Sequence, residues 1–209
     1  MFPTTLALSR IARLRIAALG LLALAWIGPA AAQDVAVTGA PRVRIETTLG
    51  AFTVELDANR APLSTANFLQ YVRDRHYDGT LFHRVIGNFM VQGGGFLPDG
   101  TLKPARPGIP NESGNGLSNR RGTLSMARTA DPHSGDAQFY VNLVDNIALD
   151  PSPSRWGYAV FGRVIEGMEV IDRIASVPTG ARPGFEEDAP LEPILIVSAR
   201  VVGEASPAK

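Results

Sequence analysis

Residues 81–96 have the sequence LFHRVIGNFMVQGGGF, and this stretch decides the expected fold. A period of two fits residues 81–86 and again residues 89–92, which is the spacing of side chains on a β-strand. Gly87 and Asn88 separate the two segments, and such residues are typical of tight turns between antiparallel strands. The stretch therefore predicts a β-hairpin.

Further strands are predicted on both sides of this hairpin. Residues 43–47 and 52–56 alternate apolar with polar side chains and are expected to pair with each other. Additional strands are predicted at residues 122–128, 138–144, 158–165 and 191–201. Residues 93–121 are rich in Gly, Pro and Asn, so a long loop is expected there, and loops of this length are often functional.

Two helices complete the pattern. Pro62 can open the first helix, which is expected to end before Asp78. Apolar residues at positions 168, 171, 174 and 175 mark the second. Because the helices are segregated from mostly consecutive strands, the sequence favours a mainly β fold, an antiparallel sheet or barrel covered by two helices. Barrel closure would also protect the edge strands.

The composition excludes several classes of protein. The 209 residues include no cysteine, which excludes a disulfide framework, a thiol nucleophile and a Cys-ligated zinc site. Lys and Arg together number 20, as do Asp and Glu, so the formal net charge is zero. The charge balance therefore gives no reason to expect nucleic-acid binding. A hydrophobic content of 45% is too high for a disordered chain.

The first 32 residues have the pattern of a secretory signal peptide. Three arginines precede an apolar run at residues 16–27, and small residues follow it at positions 28–32. Cleavage between Ala32 and Gln33 is expected, with export to the periplasm and secretion as the less favoured alternative. An uncleaved membrane anchor is the competing interpretation, but the run is shorter than the roughly 20 apolar residues that a spanning helix needs.

Removal of this segment would leave 177 residues with a formal charge of −3, a length that suits one domain. Residues 33–41 are expected to form a flexible lead-in and residues 204–209 a flexible tail. The domain between them, residues 42–203, is expected to be a monomer without stable membrane association.

Most familiar kinds of catalytic site have no motif in this sequence. Residues 92–96 are glycine-rich but lack the Lys and Ser/Thr of a phosphate-binding loop, so a turn or bulge with close backbone approach is expected instead. His76, His83 and His133 are too far apart for a local metal motif, although a three-histidine site assembled in space stays an alternative. The sequence contains no Gly-x-Ser-x-Gly motif.

The predicted hairpin itself carries the remaining candidate. Arg84, Met90 and Gln92 share parity, so they are expected to face the same side if the chain stays extended through the turn. An arginine beside Phe89 and Met90 is unusual on a strand. Either its aliphatic stem covers apolar surface while its charged end stays in water, or the guanidinium takes part in a functional site.

The hairpin resembles the core motif of the cyclophilin family of peptidyl-prolyl cis-trans isomerases, in particular bacterial members of the exported type. Further motifs of that family follow in order, namely Asn111-Glu112, residues 121–128, residues 134–139, Leu149-Asp150 and residues 161–164. The resemblance spans residues 43–201, nearly the whole of the expected domain.

This resemblance implies a closed eight-stranded antiparallel β-barrel capped by two α-helices, with an active groove on its outer face. It implies that Arg84 is the catalytic residue and that no metal or other cofactor is required. The residues implied to contact the substrate are His83, Phe89, Met90, Gln92, Ala127, Arg128, Gln138, Tyr140, Leu149 and Tyr158. The implied partners are proline-containing polypeptides, in particular unfolded or partly folded exported proteins, and not nucleic acids.

Three positions depart from patterns common in the family. Ala148 stands where relatives often carry Trp or Phe, which reduces a wall of the groove that inhibitors of the cyclosporin class use. Tyr140 stands where the family usually has Phe, and its hydroxyl needs a partner or water. Tyr158 stands where many eukaryotic relatives carry His.

Three functional hypotheses follow. The favoured one is an exported isomerase that assists protein folding, in which Arg84 stabilises the twisted X–Pro amide without a covalent intermediate. The second is a binding module that holds proline-containing segments, suggested by Ala148 and by the loop at residues 93–121. The third is a metal-assisted hydrolase that uses the scattered histidines.

Overall fold

The computed structural model describes residues 39–204, and this part of the chain contains ten strands, two α-helices and one 3-10 turn. The strands are β1 (Arg42–Thr47), β2 (Gly50–Leu56), β3 (Phe82–Ile86), β4 (Met90–Gly93), β5 (Thr123–Met126), β6 (Phe139–Asn142), β7 (Val160–Glu166), β8 (Thr179–Arg182), β9 (Phe185–Pro190) and β10 (Ile196–Val201). The helices are α1 (Pro62–Arg73) and α2 (Met168–Ala175), and the 3-10 turn covers Ile147–Leu149.

Eight of the strands form one antiparallel sheet in the order β10-β1-β2-β7-β5-β6-β4-β3. The two ends of this sheet meet, because Leu81 pairs with Leu195 and the amide of Phe82 donates to the carbonyl of Ile194 at 2.9 Å. The sheet is therefore a closed barrel, and two helices accompany it. This architecture confirms the predicted fold class.

Alternate side chains of the strands fill the barrel interior, as the period of two predicts. In β1, Val43 and Ile45 are fully buried, while Arg44 between them and Glu46 after them are exposed. Helix α1 packs against the barrel through Phe68, whose ring centre lies 5.5 Å from that of Phe139 and 5.4 Å from that of Phe161. These ring contacts join α1 to β6 and β7.

The long loop predicted at residues 93–121 contains no named strand or helix beyond Gly93, the last residue of β4, and it supports the start of α1. Ala61 gives this helix no side-chain cap. Instead, the carboxylate of Glu112 accepts hydrogen bonds from the amides of Leu63 at 2.9 Å and Ser64 at 2.7 Å. Because the first amides of a helix have no partner within it, an acidic group placed there stabilises the helix.

The boundaries of the first helix and of the last strand can be compared with the expectations. Helix α1 ends at Arg73, before Asp78 as expected, and turns fill the distance to Asp78. The last strand begins at Ile196 and not at residue 191, since Pro193 cannot donate a hydrogen bond to a neighbouring strand. This difference shortens the strand without changing the order of the elements.

The hairpin formed by β8 and β9 is an addition to the predicted architecture. It forms a two-stranded sheet of its own, outside the eight-stranded barrel. Residues 179–190 include several Gly and Pro residues and the consecutive acidic residues Glu186 and Glu187, so they lack the alternation that signals a strand. Packing against the barrel, and not local sequence preference, favours this hairpin.

Several expectations concern residues outside the described range. The expected signal peptide at residues 1–32 lies there, together with residues 33–38 of the lead-in and residues 205–209 of the tail. Within residues 39–204, neither helix has the length and apolar character needed to cross a membrane.

Candidate active site

The candidate site lies on the hairpin formed by β3 and β4. The strand register pairs Arg84 with Gln92 and Ile86 with Met90, and residues that face each other in this way point to the same side of the sheet. Asn88 turns the chain between the strands with a left-handed backbone (φ 57°), a conformation that Asn tolerates better than most residues. Arg84, Met90 and Gln92 therefore share one face.

A pocket of about 100 Å³ is present on this face. Its lining residues are Arg84, Phe89, Met90, Gln92, Ala127, Arg128, Tyr140, Leu149 and Tyr158. All nine are residues that the family resemblance implies for the site. They come from β3, β4 and the turn between them, from β6, from the 3-10 turn and from the segments next to β5 and β7, so the closed barrel is what brings them together.

The pocket has an apolar floor and partly exposed walls. Met90, Ala127 and Tyr140 are buried, and Phe89 and Leu149 pack against them while remaining half-buried. This apolar cup, as we call these five residues, is separate from the core inside the barrel. Such a surface suits a small apolar ring, because binding removes apolar area from water on both sides.

Two arginines border the apolar cup, and they differ in how firmly they are held. Arg128 donates hydrogen bonds to three backbone carbonyl groups, and its guanidinium lies 4.4 Å from the ring centre of Tyr158. In contrast, no hydrogen bond ties the guanidinium of Arg84 to any residue between 39 and 204, and the side chain is 45% exposed. The donors of Arg84 remain available to a ligand.

A pair of glutamines lies beside the apolar cup. Nε2 of Gln92 donates to Oε1 of Gln138 at 3.0 Å. The side chain of Gln138 lies against Gly95, where an added Cβ atom would come within 2.5 Å of Gln138 Cγ. The glycine run thus permits the close approach that the sequence predicts, and no hydrogen bond among residues 39–204 uses Gln92 Oε1 or Gln138 Nε2.

The hydroxyl of Tyr140 has a buried partner. The Tyr140 hydroxyl group donates to Oδ1 of Asn119 at an oxygen–oxygen distance of 2.9 Å, and Asn119 is fully buried. Burial raises the pKa of Tyr140, so the hydroxyl stays protonated and acts as a donor. The extra hydroxyl, compared with the usual Phe, is therefore satisfied inside the protein.

Asp150 anchors this network from the other side. Its carboxylate accepts hydrogen bonds from the hydroxyl of Ser118, from the backbone amide of Asn119 at 2.7 Å and from Nδ2 of Asn119 at 2.8 Å. Burial alone would raise the pKa of Asp150, but the hydrogen bonds from Ser118 and Asn119 outweigh it and keep the pKa below its usual value. Because Asp150 directly follows Leu149, the anchor also places this wall of the cup.

Comparison with known proteins identifies the family. A family model described as cyclophilin type peptidyl-prolyl cis-trans isomerase/CLD matches residues 42–201. The chain belongs to this family. It is therefore a cyclophilin-type isomerase, and its relatives are named peptidyl-prolyl cis-trans isomerases.

Relatives match the cyclophilin domain over almost their full length. Peptidyl-prolyl cis-trans isomerase cyp18 of Streptomyces antibioticus is 50% identical over 164 residues, which cover 77% of this chain and 98% of the relative. Peptidyl-prolyl cis-trans isomerase A of Dickeya dadantii is 44% identical over 190 residues, which cover 91% of this chain and 97% of that protein. A crystal structure of a Cryptosporidium parvum cyclophilin-type isomerase in the presence of the dipeptide Ala-Pro has a TM-score of 0.67 at 28% identity, covering 78% of this chain and 99% of that one.

His83 is placed away from the pocket of the cyclophilin domain. A bulge in β3 between Phe82 and Arg84 lets two consecutive side chains, those of Phe82 and His83, be buried together. The imidazole of His83 packs against the rings of Phe96 and Phe185, at 4.6 and 5.9 Å between ring centres. The bulge thus buries His83 and leaves Arg84 exposed.

The surroundings of His83 keep its imidazole neutral. Burial lowers the pKa of His83 to about 4, and a hydrogen bond with the Leu81 backbone opposes this only in part. Its Nδ1 atom has no hydrogen-bond partner among the described residues. At neutral pH, His83 therefore packs as an aromatic ring.

The three histidines of the cyclophilin chain lie in three different surroundings. His76 lies 4.7 Å from the ring of Tyr71, and His133 lies 5.3 Å from the ring of Trp156, while His83 packs as described above. Among residues 39–204, no three His, Asp or Glu side chains are grouped so that they could hold a metal ion. Within this described part of the chain, the histidines therefore do not form the metal site that the hydrolase hypothesis needs.

Sequence reasoning missed two residues that contact the site. Asn119 lies in the long loop. The sequence indicated only that the Tyr140 hydroxyl needs a hydrogen-bond partner, and not which residue supplies it. Asp188 lies in the unpredicted β8–β9 hairpin, 3.5 Å from Arg84, and no local pattern marks it. Both contacts join residues that are distant in sequence.

Proposed function

We propose that this pocket catalyses rotation about X–Pro peptide bonds, with Arg84 as the catalytic residue. The observation that carries the proposal is an apolar cup directly beside a guanidinium whose donors are unused within residues 39–204. The pyrrolidine ring of the substrate would fill the cup against Phe89, Met90 and Leu149. Arg84 would then lie next to the prolyl nitrogen.

The chemistry of the X–Pro bond explains how an arginine accelerates rotation. Conjugation of the amide gives a barrier of about 18–20 kcal/mol, so uncatalysed exchange takes tens to hundreds of seconds. Rotation breaks the conjugation and leaves a lone pair on the prolyl nitrogen. Arg84 can donate a hydrogen bond to this lone pair only as it forms, so it stabilises the transition state more than the ground state. The step needs no covalent intermediate.

The polar border of the pocket would hold the peptide backbone on either side of proline. Gln92, Gln138 and Arg128 supply donors and acceptors, and Ala127, which directly follows β5, also lines the pocket. Tyr158 completes the border beside Arg128. The Ala-Pro dipeptide named with the Cryptosporidium structure supports proline-containing polypeptides as the substrate class.

The test compares wild type with Arg84→Ala in a relaxation assay on a short X–Pro peptide. We expect wild type to accelerate cis-to-trans relaxation and the variant to lose about 100-fold or more in kcat/KM, the size seen when a single transition-state donor is removed. Arg44→Ala, at an exposed arginine of β1, should match wild type. A circular-dichroism spectrum establishes that each variant is folded. No acceleration by folded wild type would mean that the pocket serves binding alone.

We further propose that the enzyme works in the periplasm on exported proteins as they fold. The basic, apolar and small-residue segments of residues 1–32 support export, and slow X–Pro isomerisation can limit folding there. The same segments support removal of residues 1–32, leaving the domain at residues 42–203 with short flanking segments and no membrane anchor. We expect the exported enzyme to be a monomer that has no nucleic-acid partner.

The export proposal is tested by the mass of the protein after expression with its own N-terminus in a Gram-negative host. We expect the periplasmic fraction to contain a chain that begins at Gln33. Retention of the full chain in the cytoplasm, or in the membrane fraction, would contradict export with cleavage.

A further inference from the structure

The β8–β9 hairpin is fixed against the strand that carries Arg84. Phe185, at the start of β9, packs its ring 5.9 Å from that of His83 and 5.2 Å from that of Phe96. His83 is buried next to Arg84 in β3. The aromatic cluster of His83, Phe96 and Phe185 therefore holds β9 at a defined place beside the candidate active site.

Three residues after Phe185, an aspartate faces the guanidinium of Arg84. Oδ2 of Asp188 lies 3.5 Å from Nε of Arg84, and the Asp188 side chain is 28% exposed. The backbone of Asp188 is left-handed, with φ 58°, which interrupts the regular alternation of β9. Asp is one of the few residues that adopt this conformation readily. The irregular backbone and the carboxylate thus occur at the same position.

We infer that Asp188 is a positioning residue for Arg84, an inference that rests on the proposed isomerase function. A guanidinium offers donors on its Nε edge and on its two terminal nitrogens. Asp188 contacts the Nε atom, so the terminal nitrogens are left for the pocket that Arg84 lines and for the prolyl nitrogen of a substrate there. The carboxylate orients the group without occupying the donors that catalysis would use.

The need for such a partner follows from the freedom of an arginine side chain. Fixing a long, partly exposed side chain in one orientation costs rotamer entropy. No hydrogen bond within residues 39–204 restricts the Arg84 guanidinium, and Asp188 is its one ion-pair partner there. Orientation before substrate binding therefore depends on the β8–β9 hairpin, an element outside the barrel.

Asp188→Asn tests this role, because it removes the charge while nearly preserving side-chain shape. With the purified protein and an X–Pro peptide, we expect kcat to fall about two- to fivefold with KM unchanged, as for loss of an exposed ion pair that acts only in the transition state. Glu187→Gln is the matched control, since it removes one exposed charge from the adjacent position of β9. A kcat for Asp188→Asn that equals that of the control, or exceeds it, would overturn the inference.

A second measurement does not depend on catalysis. Nitrogen-15 relaxation of the Arg84 Nε–H group reports its mobility in the free protein. We expect this group to be ordered in wild type and in Glu187→Gln and clearly more mobile in Asp188→Asn. Equal mobility in all three proteins would reject positioning by Asp188. If wild type fails to accelerate isomerisation, the proposed function fails, while this measurement still decides whether Asp188 orients Arg84.

Discussion

At the scale of single residues, Asn119 shows how one buried amide supports a binding surface. Its Oδ1 atom accepts hydrogen bonds from Ser125 Oγ at 2.8 Å, Tyr140 Oη at 2.9 Å and Asn142 Nδ2 at 3.3 Å. All four residues are buried, so water cannot replace a missing partner. The amide therefore fixes the Tyr140 ring in the floor of the apolar cup.

Asn119→Ala should lower the free energy of unfolding by about 2–4 kcal/mol, because three buried donors lose their shared acceptor. Tyr140→Phe should cost about 1 kcal/mol or less, since Asn119 keeps two other donors and the ring remains. Urea unfolding of both variants measures the difference. Equal losses would show that Asn119 does not hold the network together.

Gly95 controls the second polar feature of the site. We expect Gly95→Ala to raise KM about two- to tenfold, since its Cβ would displace the Gln138 side chain and break the hydrogen bond to Gln92. Gly87→Ala, in the turn between β3 and β4, is the matched control, because a Cβ there meets no atom within 4 Å and the backbone is not left-handed. Peptide kinetics would count against the role of this glycine if both variants kept the wild-type KM.

At the scale of elements, the β8–β9 hairpin depends on the aromatic ring of His83. The hairpin packs on β3, and the buried, neutral imidazole supplies part of that contact. Protonation would place an uncompensated charge in an apolar cluster next to the positive Arg84. The docking of this hairpin should therefore weaken in acid.

The pH dependence of stability follows from the pKa of His83. The unfolded chain binds a proton near pH 6.5 and the folded chain only near pH 4, so the free energy of unfolding falls as pH decreases through this window. We expect His83 to account for a loss of about 2 kcal/mol between pH 7 and pH 5.

His83→Phe provides the measurement, because it keeps an aromatic ring and removes the titrating group. Urea unfolding at pH 7 and pH 5 should show a smaller acid-induced loss in the variant than in wild type. His76 is present in both proteins, so its own contribution cancels in the comparison. An identical loss in the two proteins would show that His83 does not titrate in this way.

At the scale of the whole molecule, barrel closure joins distant parts of the domain. The amide of Ile196 in β10 donates to the carbonyl of Thr80 at 2.7 Å, just before β3. The guanidinium of Arg200 makes two hydrogen bonds to the carboxylate of Asp78, at 2.8 and 2.6 Å, on the same side of the seam. The last strand thereby completes the sheet that contains the active-site hairpin.

Amide hydrogen exchange can test closure directly. The amides of Phe82 and Ile196 lie at the seam, so we expect them to exchange only by global unfolding. The amide of Leu191 bonds to Pro178 within the separate hairpin and should exchange by local opening at a lower free energy. Fast exchange at Phe82 and Ile196 would indicate a barrel that opens along this seam.

Local pattern predicted much of the fold and of the candidate site. The strands around Arg84, the loop at residues 93–121 and the helix that begins at Pro62 follow from side-chain period and from the conformational limits of Gly and Pro. The nine residues of the pocket follow from family motifs. The orientation of His83 does not, because a single bulge changes which side chains a strand buries.

The sequence by itself determined the elements that short-range physics controls, among them the turn at Gly87 and Asn88 and the register that it implies for Arg84 and Gln92. Only the tertiary structure decided which distant residues support the site. Asn119 contacts Tyr140 from the long loop, and Asp188 contacts Arg84 from a hairpin whose own sequence carries no strand pattern. The physical reason is that hydrogen bonds and ion pairs depend on the distance between two groups in space, and the folded barrel sets that distance. Such contacts produce no periodic pattern along the sequence.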